Sequence, residues 1–230
     1  MILRYAKNLK GKDFVVGDIH GCFSALIRQL DSLGFDYEND RLFATGDLVD
    51  RGVESHLVEE FLEYPWFKTV LGNHEQMAIQ FAEGLIPAVY YIETGGVWNV
   101  FNSKEEINRI ADTFKKLPIG IEIENDLGIL GIVHADVPFN DWISFKENLA
   151  DPCVIENALW RRARINAIEQ FGSAVEIKGI DAVVFGHSVV SEPLVHKNSM
   201  YIDTGSGYVG ENCRLTVLPV EKVMLECLTL

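Results

Sequence analysis

Three apolar runs in this 230-residue chain each release a turn crowded with polar side chains, and that pattern narrows the folds open to it. Phe14-Val15-Val16 leads into Gly17-Asp18-Ile19-His20-Gly21, and Leu42-Phe43-Ala44 leads, after Thr45, into Gly46-Asp47-Leu48-Val49-Asp50-Arg51-Gly52. Val70-Leu71 leads into Gly72-Asn73-His74-Glu75. Acids and amides released at the end of a buried strand are costly unless a cation or a phosphate meets them there. Between the runs, Leu26, Ile27, Leu30 and Leu33 fall at helical spacing with a stop at Gly34. A second helix carries Leu57, Val58, Phe61 and Leu62 and closes at Pro65, and Phe67 to Leu71 reads as the third strand. Strands alternating with helices predict parallel crossovers, whose sites lie beyond the carboxyl ends of the strands. All three turns sit at such ends.

The second half is richer in strand patterns. Ile119 to Glu124 alternates apolar with small or acidic residues, turns at Asn125-Asp126, and returns over Gly128 to Val133 as a hairpin ending at His134. Asp181 to Phe185 reads as a strand ending at Gly186-His187, and Met200-Tyr201-Ile202 precedes Asp203-Thr204-Gly205. Ala158 to Phe171 reads as one helix with Trp160, Arg161 and Arg162 near its start. Leu215 to Leu218, stopped by Pro219, and Val223 to Leu228 read as paired terminal strands. Within 78–117 the signals are mixed: a helix running on from Glu75 to Phe81, a loop at Thr94 to Trp98, and an amphipathic helix from Lys104 to Lys116. This stretch reads as a cap or substrate-facing insert within a single domain spanning 1–230.

The formal net charge is −14, from 34 acidic and 20 basic residues. General binding to nucleic acid or to a membrane surface is therefore not expected, since basic patches supply that attraction. A phosphate-bearing substrate would need a site that is locally positive. Cys22, Cys153, Cys213 and Cys227 form no CxxC pair, which favours a reducing, cytoplasmic setting over a disulfide framework or a zinc ribbon. The first residues lack the apolar core of a signal peptide, and no apolar run approaches the roughly 20 residues of a membrane span. Nothing in the sequence fixes an oligomeric state.

The polar residues that follow strand-like runs are Asp18, His20, Asp47, Asn73, His134 and His187. Two carboxylates, three imidazoles and a carboxamide suit borderline divalent ions such as manganese, iron or zinc. They are too rich in nitrogen for calcium and lack the thiolates of a structural zinc site. Six donors exceed one tetrahedral site but suit two ions sharing one carboxylate, a pairing able to clamp phosphoryl oxygens around a bridging hydroxide. With Arg51 and Arg162 counted against Asp18, Asp47, Asp50 and the hydroxide, such a site carries roughly +2, enough to hold a phosphomonoester dianion. His74 neighbours Asn73 but points elsewhere, which makes it the candidate general acid, with Asp50 to hold its ring. Arg51 and Arg162 offer planar forks matched to phosphate oxygens. Other polar and aromatic residues have plainer readings. His56 and His196 read as surface residues, Cys22 as helix-start packing, and Tyr90, Tyr91 and Trp98 as cap packing. Glu75 reads as a loop anchor or a partner to a metal histidine, and Asp203 as either a turn residue or a site residue.

Together the three turns, with His134-Ala135-Asp136 and Gly186-His187, resemble the signatures of the PPP-type metallophosphatases, and most resemble the lambda phage and small bacterial serine/threonine protein phosphatases. Tyr64-Pro65-Trp66-Phe67, His74-Glu75-Gln76-Met77, Ile177-Lys178-Gly179 and Met200 to Gly205 add to the likeness, which covers nearly the whole chain. The resemblance implies a calcineurin-like metallophosphoesterase fold of α/β class, a central β-sandwich of mixed sheets flanked by helices. It implies Asp18, His20 and Asp47 on one metal and Asp47, Asn73, His134 and His187 on the second. His74 is then the acid, Asp50 its partner, and Arg51 and Arg162 the phosphate clamps, Arg162 being favoured over Arg161 by its spacing from Trp160. Two divalent ions are implied, manganese first, with iron, zinc or nickel admissible. The implied reaction is hydrolysis of phosphoserine and phosphothreonine, with phosphotyrosine in some members, on a phosphoprotein or phosphopeptide and without a phosphoenzyme. Two other readings remain open. Symmetrical diadenosine tetraphosphatases resemble the same family, and a metal-stabilised binding protein without catalysis would keep the same ligands.

Overall fold

A computed structural model describes residues 1–208 and 214–229. Among the described residues there are ten strands: β1 (Ile2–Tyr5), β2 (Asp13–Val16), β3 (Arg41–Ala44), β4 (Phe67–Thr69), β5 (Gly120–Asn125), β6 (Gly128–Val133), β7 (Ala182–Phe185), β8 (Leu194–His196), β9 (Ser199–Tyr201) and β10 (Val217–Pro219). The helices are α1 (Phe23–Leu33), α2 (Val58–Glu63), α3 (Asn73–Ala82), α4 (Ala88–Glu93), α5 (Val97–Val100), α6 (Lys104–Phe114), α7 (Trp142–Glu147), α8 (Pro152–Trp160), α9 (Ala163–Phe171) and α10 (Val220–Leu228). The strands form a four-stranded sheet in the order β10-β2-β3-β4 and a six-stranded sheet in the order β1-β5-β6-β7-β9-β8. As the sequence predicts, β2, β3 and β4 are parallel and β5–β6 is an antiparallel hairpin.

Strand alternation builds the two-sheet core. Val15 of β2 and Phe43 of β3 point between the sheets, where they meet Ile121, Ile123, Leu130, Ile132, Val184 and Met200 of the other sheet. Their neighbours Phe14, Val16, Leu42 and Ala44 face outward and are covered by Phe23, Leu26 and Leu30 of α1. With both faces buried, the parallel strands read as continuous apolar runs, which is why they were legible.

Four expectations need correction. Val223 to Leu228 is not a strand but the body of α10, and β10 pairs antiparallel with β2 instead. Val220, Val223, Met224 and Cys227 are buried on one face at helical spacing, against the sandwich core, while Leu225 is 47% exposed. Pro219 does not stop β10 but is its last residue, tolerated because β10 is an edge strand. The helix expected over Ala158 to Phe171 is two helices, broken where Arg161 takes extended backbone angles (φ −72°, ψ 134°). Val97 to Val100, inside or beside the expected loop, forms the short helix α5. Two strands carry no sequence expectation: β1 pairs parallel with β5 and places Leu3 and Tyr5 on the inter-sheet core, and β8 pairs antiparallel with β9.

The α10 assignment is testable, because a strand would bury Val223, Leu225 and Cys227 together. Met224→Ala should lower the free energy of urea unfolding by about 2–5 kcal/mol, and Leu225→Ala by less than about 1 kcal/mol. A larger loss at Leu225 than at Met224 would overturn the helix.

Candidate metal centre and active site

β2, β3 and β4 end in register, Val16 beside Ala44 and Ala44 beside Thr69, so the three polar turns emerge side by side. β6 and β7, adjacent and parallel in the other sheet, deliver His134 and His187 to the same edge. Eight described non-glycine residues have left-handed backbones, and five of them are here: His20, Asp47, Asp50, Arg51 and His187. Each such residue costs about 1–3 kcal/mol and persists only where its surroundings over-determine it. Glu75 does much of that work. Its buried carboxylate accepts hydrogen bonds from the backbone N–H of Asp47 (2.9 Å), Leu48 (2.8 Å), Val49 (3.4 Å) and Gly72 (2.9 Å). Glycine is required at position 72, because a Cβ there would overlap the Asp47 carboxylate and backbone nitrogen.

The histidine rings are fixed by backbone carbonyls. Nδ1 of His20 lies 2.8 Å from the Val49 carbonyl, and Nδ1 of His134 lies 2.8 Å from that of Thr45, so each ring turns Nε2 inward. Asp47 stands between them. Its Oδ2 is 3.7 Å from His20 Nε2 and 3.8 Å from His74 Nε2, and its Oδ1 is 3.4 Å from His134 Nε2. Asn73 Oδ1 lies 2.8 Å from His134 Nε2 and 2.9 Å from His187 Nδ1. Two triplets of donors converge within 4.8 Å, His20–Asp47–His74 and Asp47–His134–His187, and Asp47 belongs to both. Asp18 lies outside these triplets; its carboxylate accepts from Thr45 Oγ1 and the His187 N–H, both at 2.9 Å. His74, read as an acid, thus also lies in the first triplet.

The electrostatics suit a cation. Burial, then repulsion from neighbouring carboxylates, pushes Asp18 and Asp47 well above the usual carboxylate range, while burial pushes His20 and His134 well below the usual imidazole range. A buried hollow lined by mutually repelling carboxylates and inward-facing neutral imidazoles is a donor set that divalent ions fit.

Beyond the donors lies a cavity of about 500 Å³, lined by Asp47, Arg51, Asn73, His74, Arg162 and Tyr208 among others. His74 Nδ1 pairs with Asp50 Oδ2 at 2.7 Å, and Arg51 Nη2 donates to His74 Nε2 at 3.1 Å. Arg51 also reaches His20 Nε2, and its guanidinium lies 4.3 Å over the Tyr208 ring. Burial pushes Asp50 up to about 7 and His74 down to about 3, the latter aided by the Arg51 charge. Arg162 donates from Nε to His187 Nε2 (3.2 Å) and from Nη2 to the His187 carbonyl (3.1 Å). Arg161 turns away toward Asp136, its Nε 3.9 Å from Oδ2. The helix break between them sends the two arginines to different sides.

Three residues here escaped the sequence reading. Trp98 Nε1 and Tyr91 Oη donate to Asp50 Oδ1 at 2.7 and 3.2 Å, where only packing was expected of them. Tyr208 carried no motif signal. Asp203 forms a turn, its Oδ1 accepting the Gly205 N–H at 2.9 Å, and its charge adds to burial in raising the pKa of Asp18. His56 is exposed and His196 accepts the Ala174 N–H, both away from the site. Cys22 is half-buried, with Sγ 3.5 Å from the His20 carbonyl.

Comparison with known proteins bears on the family of the chain. The profile of the calcineurin-like phosphoesterases matches residues 14–191. The chain is 36% identical over 211 residues to serine/threonine-protein phosphatase 2 of Salmonella typhimurium, covering 89% of this chain and 94% of that one. It is 41% identical over 73 residues to the symmetrical bis(5'-nucleosyl)-tetraphosphatase of Dechloromonas aromatica, a match spanning 31% of this chain and 26% of that one. A crystal structure described as a putative diadenosine tetraphosphatase shares the fold, with a TM-score of 0.63 at 19% identity, over 95% of this chain and 97% of that one. By profile, by extended identity and by architecture, the chain belongs to the calcineurin-like phosphoesterase family.

Proposed function

We propose that the chain is a two-metal phosphoprotein phosphatase that hydrolyses phosphoserine and phosphothreonine monoesters, with phosphotyrosine admitted. The observation that carries this reading is the Asp47 carboxylate, one oxygen toward His20 and the other toward His134, beside a cavity holding His74, Arg51 and Arg162. Asp18, His20 and Asp47 would hold one ion, and Asp47, Asn73, His134 and His187 the other, manganese being the first choice. Bound there, the ions supply Lewis-acid polarisation of the phosphoryl group and activation of water.

The protein's own groups do the rest. Arg51 and Arg162 fork onto the phosphate oxygens. Engaging the phosphate draws Arg51 off His74 Nε2, which takes up a proton from solvent and gives it to the leaving alkoxide, the proton displaced from the attacking water returning to solvent in its place. The Asp50 carboxylate holds the ring through Nδ1 and stabilises its protonated form. Water adds to phosphorus as the ester P–O bond breaks, releasing the free hydroxyl side chain and inorganic phosphate. Residues 78–117 belong to the same single domain and present Glu93 and Thr94 to the cavity rim. A cytoplasmic location is part of the reading. Among the described residues no helix is long and apolar enough to cross a membrane, and Cys22, Cys153 and Cys227 are free thiols.

A second reading, hydrolysis of a symmetrical dinucleoside tetraphosphate, draws on the local match to the Dechloromonas enzyme. The Salmonella phosphatase match covers nearly all of both chains and favours the first reading. A binding protein without catalysis is disfavoured because no proposed ligand, acid or clamp position is substituted.

With the manganese-loaded protein, a phosphoserine peptide should be turned over in preference to diadenosine tetraphosphate, and the reverse preference would overturn the protein-phosphatase reading. His74→Asn should lower kcat by about 10²–10⁴ while bound metal, read by elemental analysis, stays unchanged. Asp47→Asn should lose both metal and turnover; full activity in His74→Asn would remove His74 as the acid. Arg162→Ala should raise KM for the peptide by about tenfold or more, as loss of a charged phosphate contact does, while Arg161→Ala leaves it within about twofold.

A further inference from the structure

We infer that Trp98 and Tyr91 are positioning residues of the reaction, because together they clamp the one carboxylate that aims the His74 ring. The chemistry rests on the phosphatase reading above; the clamp itself rests on geometry. Asp50 is wholly buried, and its two oxygens are divided between two tasks. Oδ2 meets His74 Nδ1 at 2.7 Å. Oδ1 accepts from Trp98 Nε1 at 2.7 Å and from Tyr91 Oη at 3.2 Å. With Oδ1 saturated by two donors, the carboxylate cannot swing away from the ring, and both donors favour its ionised form. Held in this way, Asp50 keeps Nδ1 of His74 turned toward itself and Nε2 turned toward the cavity.

Packing alone does not account for these contacts. The Tyr91 ring packs on Phe81 with centroids 5.1 Å apart, a contact phenylalanine would make equally well, yet its hydroxyl is spent on Asp50. Gly96 lets that ring approach, since a Cβ there would collide with it. Gly95, at φ +110°, lies against the backbone of Arg51, and its carbonyl accepts the Arg51 N–H at 3.1 Å. The segment from α4 to α5 therefore grips two of the three left-handed non-glycine residues of the 46–52 turn, Asp50 by its side chain and Arg51 by its backbone. The insert is part of the proton-transfer machinery rather than a cover over it.

The test compares two esters that differ in their need for an acid. Phenyl phosphate leaves as a phenolate with a basicity of about 10, like tyrosinate, and needs a proton, whereas 4-nitrophenyl phosphate needs little help. In the manganese-loaded protein, Trp98→Phe and Tyr91→Phe should each lower kcat on phenyl phosphate at least about tenfold more than on 4-nitrophenyl phosphate, with KM nearly constant. His74→Asn should show the same bias more strongly. Equal losses on both esters, or none, would overturn the positioning role, and Tyr91→Phe, which removes one oxygen, guards against a folding artefact at Trp98.

A second readout needs no turnover. The indole N–H proton resonance assigned by its loss in Trp98→Phe should lie downfield, as a charge-assisted bond demands, and move upfield in Asp50→Asn. An unmoved resonance would overturn the clamp. Inactivity of the wild-type protein on both esters would instead count against the phosphatase reading, leaving the clamp to be judged by the resonance.

Discussion

One carboxylate underlies the geometry of the whole site. Glu75, wholly buried at the start of α3, gathers backbone N–H groups from two separate turns. Burial drives its pKa up to about 7, even though hydrogen bonds from Leu48, Gly72 and Asp47 pull the other way. Hydrogen bonds to a charged group are worth about 1.5–3 kcal/mol each, comparable to the strain of the left-handed residues they restrain. That carboxylate holds the Asp47 end of the 46–52 turn, while the α4–α5 segment holds Asp50 and Arg51 at the other end. Those left-handed backbones send three consecutive functions in three directions: Asp47 to the donor cluster, Asp50 to His74, and Arg51 to the cavity.

The site is also the seam between the two sheets. The His134 ring reaches the Thr45 carbonyl at the end of β3, and the His187 N–H reaches the carboxylate of Asp18 after β2. The donors contributed by each sheet are thus hydrogen-bonded to the backbone or the donors of the other. Local positive charge from Arg51 and Arg162 answers the overall charge of −14, since fields inside a cavity depend on near neighbours.

What could be read from the sequence follows a physical division. The six metal-type residues were visible because each follows a buried strand, where a polar residue is anomalous, and the helix and strand periods around them were unmixed. α10 was missed because Val223, Leu225 and Cys227 satisfy a two-residue period as well as Val220, Val223, Met224 and Cys227 satisfy a helical one, and only packing chooses. β1 is an edge strand with no fully buried residue and an exposed Arg4, so it lacks the continuous apolar run that marks β2 and β3. The α8–α9 break has neither proline nor glycine at Arg161 or Arg162 to announce it. Trp98 and Tyr91 act on Asp50 across 48 and 41 residues of chain, and nothing local marks an aromatic N–H or hydroxyl for a distant carboxylate.

The break at Arg161 has a further consequence. The chain turns through Arg161 (φ −72°, ψ 134°) and Arg162 (φ −114°, ψ 16°), so Arg162 meets the cavity only because α8 ends where it does. Lengthening or shortening α8 by one residue would rotate the break by about 100° and carry Arg162 off the cavity. The chain therefore tolerates substitution along α8 far better than a change of length. In this part of the fold, residue count itself is under functional constraint.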